Sequence, residues 1–343
     1  MSSAPRAVPQ VPPLGPVRAA GEDAVRFQAV TKSFAGRDAV RDLDLVVPRG
    51  AIYGLLGPNG AGKTTSIRML MGILGPDAGS IAVLGEPTAA VKDRIGYLPE
   101  ERGLYLGMKV IDNLVFFGTV RGLARPDARR RGEQWLGRLG LGEAAPRKLQ
   151  ELSKGNQQKV QFAATVLHGP ELVVLDEPFS GLDPLNQDLL RRTMLDLAAA
   201  GTTIILSTHA MDEVERICSH LTLLDGGRTL AQGELDEVKA RWGEDTLRMD
   251  AAGDPHAIER HPWVRECRTM GRTLEVRLEA GRDPSEFLAQ VSAAARVRRF
   301  EIRTPSLHSI FVRLVGDARG NGAEGPDDPV ALDARPATPG RAS

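Results

Sequence analysis

The spacing of hydrophobic and polar residues predicts two kinds of strand in this chain. Residues 25–30 and 40–47 alternate apolar and polar positions, which is typical of antiparallel strands with one exposed face. Residues 172–175, 203–206 and 221–224 are almost continuously apolar, and helical patterns separate the first two. Such runs are typical of strands buried on both faces of a parallel sheet. The predicted fold class is therefore α/β.

Composition divides the chain into four parts. Residues 1–21 and 316–343 are rich in proline, glycine or alanine and poor in large apolar groups, so we expect both to be disordered. Residues 22–235 are predicted to form the main α/β domain, with a helical subdomain at about 100–165. Residues 236–315 are predicted to form a small α+β domain. Its patterns predict strands at 246–250, 273–278 and 297–302 and helices at 284–295 and 309–314.

Two further local patterns refine this division. The segment Asn113–Leu139 looks helical with a break at Pro126. Asp225-Gly226-Gly227 predicts a hairpin turn into a strand at 228–232.

Charge and cysteine content exclude several classes of function. The net charge of the 343 residues is zero, so no overall field attracts nucleic acid, and we expect no nucleic-acid partner. Cys218 and Cys267 cannot form a disulfide framework and suit a reducing compartment. No apolar run approaches the roughly 20 residues of a membrane span, and residues 1–20 lack the apolar core of a signal peptide. Any membrane role is therefore expected to require a partner.

The octet at 57–64 has the residue types and spacing of a phosphate-binding loop. It follows a buried-strand pattern at 51–56 and precedes a helical pattern at 64–71, which is the context this loop requires. Its glycines let backbone N–H groups surround an anion, and the helix start adds a positive dipole end. Lys63 is expected to reach the β- and γ-phosphates, and the Thr64 hydroxyl to ligate Mg²⁺. The chain is thus predicted to bind a nucleoside triphosphate.

Two carboxylates and a histidine follow predicted buried strands. In an open parallel sheet, ligands bind at the carboxyl ends of the strands. Asp176 is therefore expected to hold Mg²⁺ beside Thr64, and Glu177 to deprotonate the attacking water. His209 ends the strand at 203–206 and is expected to contact the γ-phosphate.

The segment Leu152-Ser153-Lys154-Gly155-Asn156 precedes a helical pattern that runs through Leu167. Ser153 is a candidate N-cap, and Gly155 permits close backbone approach. Taken alone, this is an ordinary helix start.

In order and spacing, these segments together resemble the ATP-binding-cassette (ABC) family over roughly residues 24–235. The family's D-loop corresponds to residues 180–183. The resemblance implies a head-to-tail dimer that sandwiches two ATP molecules between the phosphate loop of one subunit and the Ser153–Gly155 turn of the other. It also implies that Phe34 stacks on adenine. The residues expected to bind ATP are Phe34, Gly57, Pro58, Asn59, Gly60, Ala61, Gly62, Lys63, Thr64, Thr65, Ser153 and Gly155.

The chain departs from the family pattern at two places. Lys154 and Asn156 replace the usual glycine and glutamine of the signature, which implies altered dimer affinity. Glu100 stands where the family carries a glutamine, and a carboxylate there can still ligate Mg²⁺. Similar Pro-Glu-Glu-Arg segments occur in the sodium-efflux and daunorubicin-type export branch. That branch also has a small C-terminal domain that ends much like residues 305–311.

This resemblance implies the ATP-hydrolysing subunit of an exporter, peripheral on the cytoplasmic side of the membrane. Its expected partners are an integral membrane permease and a second ATPase chain, identical or paralogous. An importer is a close alternative. A soluble regulator of the ribosome or another cytosolic assembly would usually carry two ATPase modules. A chromosome-maintenance ATPase would need a coiled coil between loop and signature, where about ninety residues without heptads lie. A P-loop kinase would make the signature and the D-loop accidental.

Overall fold

A three-stranded antiparallel sheet begins the part of the chain that the structure describes. This computed structural model describes residues 23–101, 103–242, 246–252, 258–270, 273–279, 281–292, 296–303 and 305–320. β1 (Asp23–Phe34) pairs with β2 (Arg37–Pro48) on one side and with β4 (Ala78–Val83) on the other. The predicted antiparallel pair is confirmed. Register shifts interrupt it, and Ala29 and Asp42 adopt positive φ.

A six-stranded sheet forms the centre of the fold. Its strands lie in the order β5-β6-β7-β3-β8-β9, and each neighbouring pair is parallel except β8–β9. The strands are β3 (Ile52–Leu56), β5 (Ile95–Leu98), β6 (Leu172–Asp176), β7 (Thr203–Thr208), β8 (His220–Asp225) and β9 (Arg228–Glu234). β3, β6 and β7 are buried along their whole length, as the continuous apolar runs predicted. This order brings the carboxyl ends of β6, β7 and β3 side by side.

Seven α-helices lie among the described residues up to Trp242; some pack on the six-stranded sheet, and three of them pack against one another as a helical cluster. They are α1 (Lys63–Leu70), α2 (Val110–Val120), α3 (Arg125–Arg138), α4 (Lys154–Val166), α5 (Pro184–Ala199), α6 (Met211–Ile217) and α7 (Leu235–Trp242). α2, α3 and α4 pack together, with Trp135 against Phe162 at 6.3 Å between ring centroids.

The predicted break at Pro126 is wrong by a few residues. The chain leaves the helical conformation after Val120, and Pro126 lies in the first turn of α3. Proline is tolerated there because a first-turn N–H has no partner within the helix.

The remaining strands form a four-stranded antiparallel sheet in the order β11-β12-β10-β13. They are β10 (Thr246–Ala252), β11 (Val264–Met270), β12 (Thr273–Leu278) and β13 (Arg296–Arg303). α8 (Pro284–Ser292) covers the apolar face of this sheet, where Phe287 is fully buried with Leu247 and Val276.

α9 (Leu307–Gly320) returns to the larger part of the molecule. Leu307 and Ile310 share an apolar cluster with Val214 of α6 and Val238 of α7. Glu215 accepts a hydrogen bond from the Leu307 N–H. α9 continues past residue 316, where the disordered tail was predicted to start. The rest of that tail, 321–343, and the predicted disordered segment 1–21 lie outside the described residues. Within the described ranges, no helix is both long and apolar enough to span a membrane.

Candidate active site

The phosphate-binding loop connects the end of β3 to the start of α1, as its sequence context predicted. Gly57, Gly60 and Gly62 all have positive φ. A Cβ atom on Gly57 would lie 2.3 Å from the Leu224 carbonyl oxygen, and one on Gly62 would lie 2.5 Å from the Ala39 carbonyl oxygen. These two positions therefore require glycine so that the loop can pack against neighbouring backbone, apart from any need for an anion to approach the loop.

The Lys63 side chain lies inside this loop. Its Nζ donates to the carbonyl oxygens of Gly57 at 2.7 Å and Pro58 at 3.1 Å. Burial lowers the pKa of Lys63, and the carboxylates of Glu177, Asp176 and Glu100 oppose that shift. Three carboxylates from two different segments thus act electrostatically on one buried ammonium group.

Asp176 ends β6 and is almost fully buried. One oxygen of its carboxylate accepts a hydrogen bond from the Ser207 hydroxyl at 2.6 Å, and the other accepts one from the Thr64 hydroxyl at 3.3 Å. Because both oxygens are held, the carboxylate is fixed at the base of the phosphate loop.

Glu177 follows Asp176 directly. Its backbone adopts the left-handed conformation, with φ 50°, so its side chain points in a different direction from that of Asp176. Such a conformation is uncommon for a residue other than glycine and is often found at functional sites. One carboxylate oxygen accepts the His209 backbone N–H at 3.1 Å and lies 2.8 Å from His209 Nδ1. The other oxygen accepts the Thr208 hydroxyl at 3.2 Å. Glu177 and His209 therefore form a contact pair across the ends of β6 and β7.

Glu100 enters the site from the segment that follows β5. It is exposed and lines the same cavity as the loop and Asp176. Tyr97, at the end of β5, has its pKa raised to about 12 by burial and by the nearby charge of Asp176.

An open cavity of about 550 Å³ joins these groups. It is lined by Ala39, Asn59, Gly60, Ala61, Gly62, Lys63, Thr64, Thr65, Glu100, Asp176, Glu177, Ser180 and His209. All the predicted catalytic and metal-binding residues are thus gathered in one place, together with seven consecutive residues of the predicted ATP-binding set.

Five residues of the predicted ATP-binding set do not line this cavity. Two of them, Gly57 and Pro58, accept hydrogen bonds from Lys63 Nζ through their carbonyl oxygens. Phe34 is 47% exposed at the end of β1, with the Lys32 ammonium 5.7 Å from its ring centroid.

Ser153 and Gly155 lie at the start of α4. Ser153 caps that helix by accepting the Asn156 N–H at 3.3 Å, as its residue type predicted. A Cβ atom on Gly155 would contact Leu182 and Gly181 of the predicted D-loop at ordinary distances.

Sequence reasoning did not assign four residues that hold or line the site. Ser207 and Thr208 position the two carboxylates, and both are hydroxyl residues at the end of a predicted buried strand, which is the signal that could have identified them. Ser180 belongs to the recognised D-loop segment. Ala39 lines the cavity from β2 and carries no recognisable sequence signal.

The donor set beside the loop fits a hard divalent cation. Thr64, Asp176 and Glu100 offer only oxygen atoms, which Mg²⁺ prefers. No cluster of three or more His, Cys, Asp or Glu side chains that could hold a metal ion is present in the described ranges. An ion held here would therefore need further ligands from phosphate, which is how Mg²⁺ is commonly bound with nucleotides.

Two protein families match separate parts of the chain. Residues 40–180 match the family described as ABC transporter. Residues 233–315 match the family described as ATP-binding protein DrrA1-3-like, C-terminal domain. The predicted resemblance to the daunorubicin-type branch is thereby confirmed, and so is a family-specific C-terminal domain.

Curated relatives and solved structures agree with these matches. The chain is 40% identical over 288 residues to the uncharacterized ABC transporter ATP-binding protein YhaQ of Bacillus subtilis (strain 168). This match covers 84% of this chain and 97% of that protein. The chain is 34% identical over 305 residues to the daunorubicin/doxorubicin resistance ATP-binding protein DrrA of Streptomyces peucetius, covering 85% and 92%. A solved ATP-binding subunit of an ABC transporter superposes with a TM-score of 0.60 at 31% identity, covering 64% of this chain and 92% of that one.

The predicted fold class, an ABC-type P-loop α/β domain followed by a small α+β domain, is confirmed by these likenesses. ABC transporter ATP-binding proteins hydrolyse ATP, so a chain with these matches is an ATPase. This chain belongs to the ATP-binding proteins of the ABC transporter family.

Proposed function

We propose that this chain is the ATP-hydrolysing subunit of an exporter and works on the cytoplasmic side of a membrane through a separate membrane-spanning partner. The observation that carries the proposal is the single cavity that contains the phosphate loop, Asp176, Glu177 and His209. The chemistry of ATP hydrolysis requires phosphate binding, charge neutralisation and an oriented water, and these residues match those needs.

The loop residues and Lys63 are proposed to bind the phosphates of ATP. In the described structure Lys63 donates to loop carbonyl groups, and an incoming β- or γ-phosphate would offer stronger, charged acceptors. Thr64, Asp176 and Glu100 are proposed to hold Mg²⁺, which neutralises charge on the phosphates when bound. The Ser207 hydrogen bond keeps Asp176 in place for that role.

Glu177 is proposed to act as the general base that accepts a proton from the attacking water. Thr208 and His209 hold both of its oxygens, so the carboxylate is fixed in orientation before ATP binds. His209 is 66% exposed at the cavity, where it is available to contact the γ-phosphate. Fixing the base in this way reduces the reorganisation needed at the moment of reaction.

A second ATPase chain is proposed to complete each nucleotide site. Phe34 and the helix start at Ser153 and Gly155 lie outside the cavity of their own chain, and Ser153 is exposed. The N-terminus of α4 is thus accessible to the phosphates of ATP held by another copy. A homodimer is the simplest arrangement, since one chain supplies both halves of the site.

A membrane-spanning partner is proposed to dock on the helical cluster beside Glu100. Tyr105, Leu106, Phe116 and Val120 are large apolar residues that are 37–65% exposed there, and the Tyr105 and Phe116 rings meet edge to face at 5.2 Å. An exposed apolar patch of this kind supports an interaction site. Because the patch follows Glu100 closely in sequence, ATP-dependent movement at Glu100 would reach it.

Export is supported by the resistance function named for DrrA and by the match of the C-terminal domain. Removal of a compound from the cell is what such resistance would require.

Affinity purification of a tagged Glu177→Gln chain with ATP from detergent-solubilised native membranes tests the proposal. We expect a stoichiometric multi-span membrane protein to copurify. Ribosomes or soluble partners alone would contradict it and would favour the soluble regulator. Omission of ATP is the matched control.

A further inference from the structure

α4 carries five buried polar side chains where it packs into the fold. Their polar atoms are satisfied mainly by backbone carbonyl groups of neighbouring segments. These side chains are Gln157, Gln158, Lys159, Gln161 and Thr165. Two of them, Gln158 and Gln161, lie one turn apart on the same face. That face meets the segments that follow β5 and β6.

Gln161 forms hydrogen bonds to the residues on both sides of Glu100, which is predicted to bind Mg²⁺. Its Nε2 donates to the carbonyl oxygens of Pro99 and Glu101, both at 3.3 Å, so the two bonds bracket Glu100. Gln161 as a whole is 4% exposed. The opposite amide orientation would place Oε1 against two carbonyl oxygens, which fixes the assignment of the two atoms.

The contact depends on the two N–H groups of this amide. Among the described residues, Gln161 Oε1 has no hydrogen-bond partner. An apolar residue of similar length could fill the space, but it could not donate to either carbonyl group. The chemistry at this position is therefore that of a double donor to the Glu100 segment.

The neighbouring amide makes a parallel connection to the other half of the site. Gln158 Nε2 donates to the Pro178 carbonyl oxygen at 3.3 Å, directly after Glu177. One face of α4 is thus bonded to the segments that carry the proposed metal ligand and the proposed base.

We propose that Gln161 is a positioning residue that fixes Glu100 to α4, so that Glu100 follows any movement of the Ser153 end of that helix; this rests on the proposed function. Gln161 lies eight residues after Ser153, about 12 Å along the helix axis. The bonds inside an α-helix make that distance rigid. Phosphate binding by the Ser153 end in a dimer would therefore be transmitted to Glu100 through Gln161.

The test compares Gln161→Leu with Thr165→Val. The control residue lies one turn further on α4. Its hydroxyl donates to the Gln161 carbonyl at 2.9 Å and lies 3.5 Å from the Tyr97 carbonyl oxygen, and none of the described hydrogen bonds joins it to residues 99–101. Both substitutions remove buried donors from α4 while keeping volume. The measurements are steady-state ATP hydrolysis, binding of a fluorescent ATP analogue with and without Mg²⁺, and the thermal unfolding midpoint.

We expect Q161L to lower kcat about tenfold or more, because a small misplacement of a ligand has large kinetic effects. Mg²⁺ should strengthen analogue binding less in Q161L than in the parent, while binding without Mg²⁺ and the unfolding midpoint match those of T165V. In a Glu100→Ala background, Q161L should cause no further change, since Gln161 acts through Glu100.

Parental kcat and a parental Mg²⁺ effect in Q161L would overturn the positioning role, as would losses that add to those of Glu100→Ala. If Q161L fails to fold, Gln161→Asn keeps the amide but shortens its reach by one methylene. It is expected to show the same losses, and parental behaviour in it would overturn the role equally. A parent chain that does not hydrolyse ATP at all would instead contradict the proposed function.

Discussion

Ser207 donates a hydrogen bond to Asp176 at 2.6 Å between two neighbouring parallel strands. Both residues are almost completely buried, and the second carboxylate oxygen accepts the Thr64 hydroxyl. The Ser207 hydroxyl thereby orients the carboxylate toward the phosphate loop. Strand pairing between β6 and β7 is thus connected directly to the geometry of the proposed metal site.

Ser207→Ala should lower both stability and activity. It leaves one buried oxygen of Asp176 without its donor, so the free energy of unfolding should fall by about 1–3 kcal/mol. The Mg²⁺ concentration for half-maximal ATP hydrolysis should rise. Urea unfolding and Mg²⁺ titration measure the two effects. Ser219→Ala is the control, because that hydroxyl contacts the Ile52 carbonyl at 3.4 Å outside the cavity. Equal results for the two variants would contradict the orienting role of Ser207.

Glu177→Gln should retain ATP binding and lose turnover by about 10²- to 10⁴-fold, because the amide cannot accept a proton from water. Single-turnover hydrolysis and analogue binding separate the two effects. Glu171→Gln is the matched control at the opposite end of β6, where Glu171 pairs with Arg94 at 2.6 Å. That variant should keep parental turnover. A Glu177→Gln chain that hydrolyses ATP at the parental rate would exclude the general-base role.

Gly62→Ala should disrupt the phosphate loop. Gly62 has φ 104°, and a Cβ atom there would lie 2.5 Å from a backbone oxygen of Ala39. Gly36→Ala is the control, since Gly36 has φ 78° with no atom near the added Cβ. The control should lose about 1 kcal/mol of unfolding free energy from backbone strain alone. Gly62→Ala should lose at least about 2 kcal/mol more and fail to bind ATP. Equal losses in urea unfolding would show that the packing around Gly62 is unimportant.

His168 should make the fold sensitive to acid. Burial, and then the charges of Arg121 and Arg131, lower its pKa from 6.5 to about 4. The unfolded chain binds a proton in this window and the folded chain does not, so stability falls as pH decreases from about 6.5 to about 4. His168 alone should lower the free energy of unfolding by about 2 kcal/mol between pH 7 and pH 5.

His168→Gln should reduce the pH dependence of urea unfolding by about that amount. The same slope in parent and variant between pH 7 and pH 5 would contradict the assignment.

Local patterns predicted much of the fold because the information lies within single segments. The phosphate loop, the buried strands and the Ser153 cap each need only a few neighbouring residues. The strand at Val264–Met270 was missed, because Arg265, Glu266 and Arg268 interrupt its apolar spacing. The extent of α9 was underestimated because glycine and aspartate near residue 316 resemble a disordered tail.

Contacts between distant segments could not be predicted in the same way. β3 comes first among the six strands of the central sheet but lies between β7 and β8. The register of β6 against β7 places Ser207 beside Asp176, and Thr208 donates to Glu177 at the next position. The bonds from Gln161 to the Glu100 segment likewise depend on how α4 packs against β5. Local patterns and the family resemblance together supplied the roles of the site residues, whereas the hydrogen bonds that support those residues could be seen only in the structure.

The mass of the Glu177→Gln chain in solution with Mg²⁺ and ATP tests the central claim most directly. A site completed by the Ser153 end of another copy requires two chains around two ATP molecules. Light scattering on the eluting protein should therefore give twice the mass of one chain with ATP and a single-chain mass with ADP. A parent chain that hydrolyses ATP, together with a Glu177→Gln chain that stays monomeric at saturating ATP, would contradict a site shared between two copies.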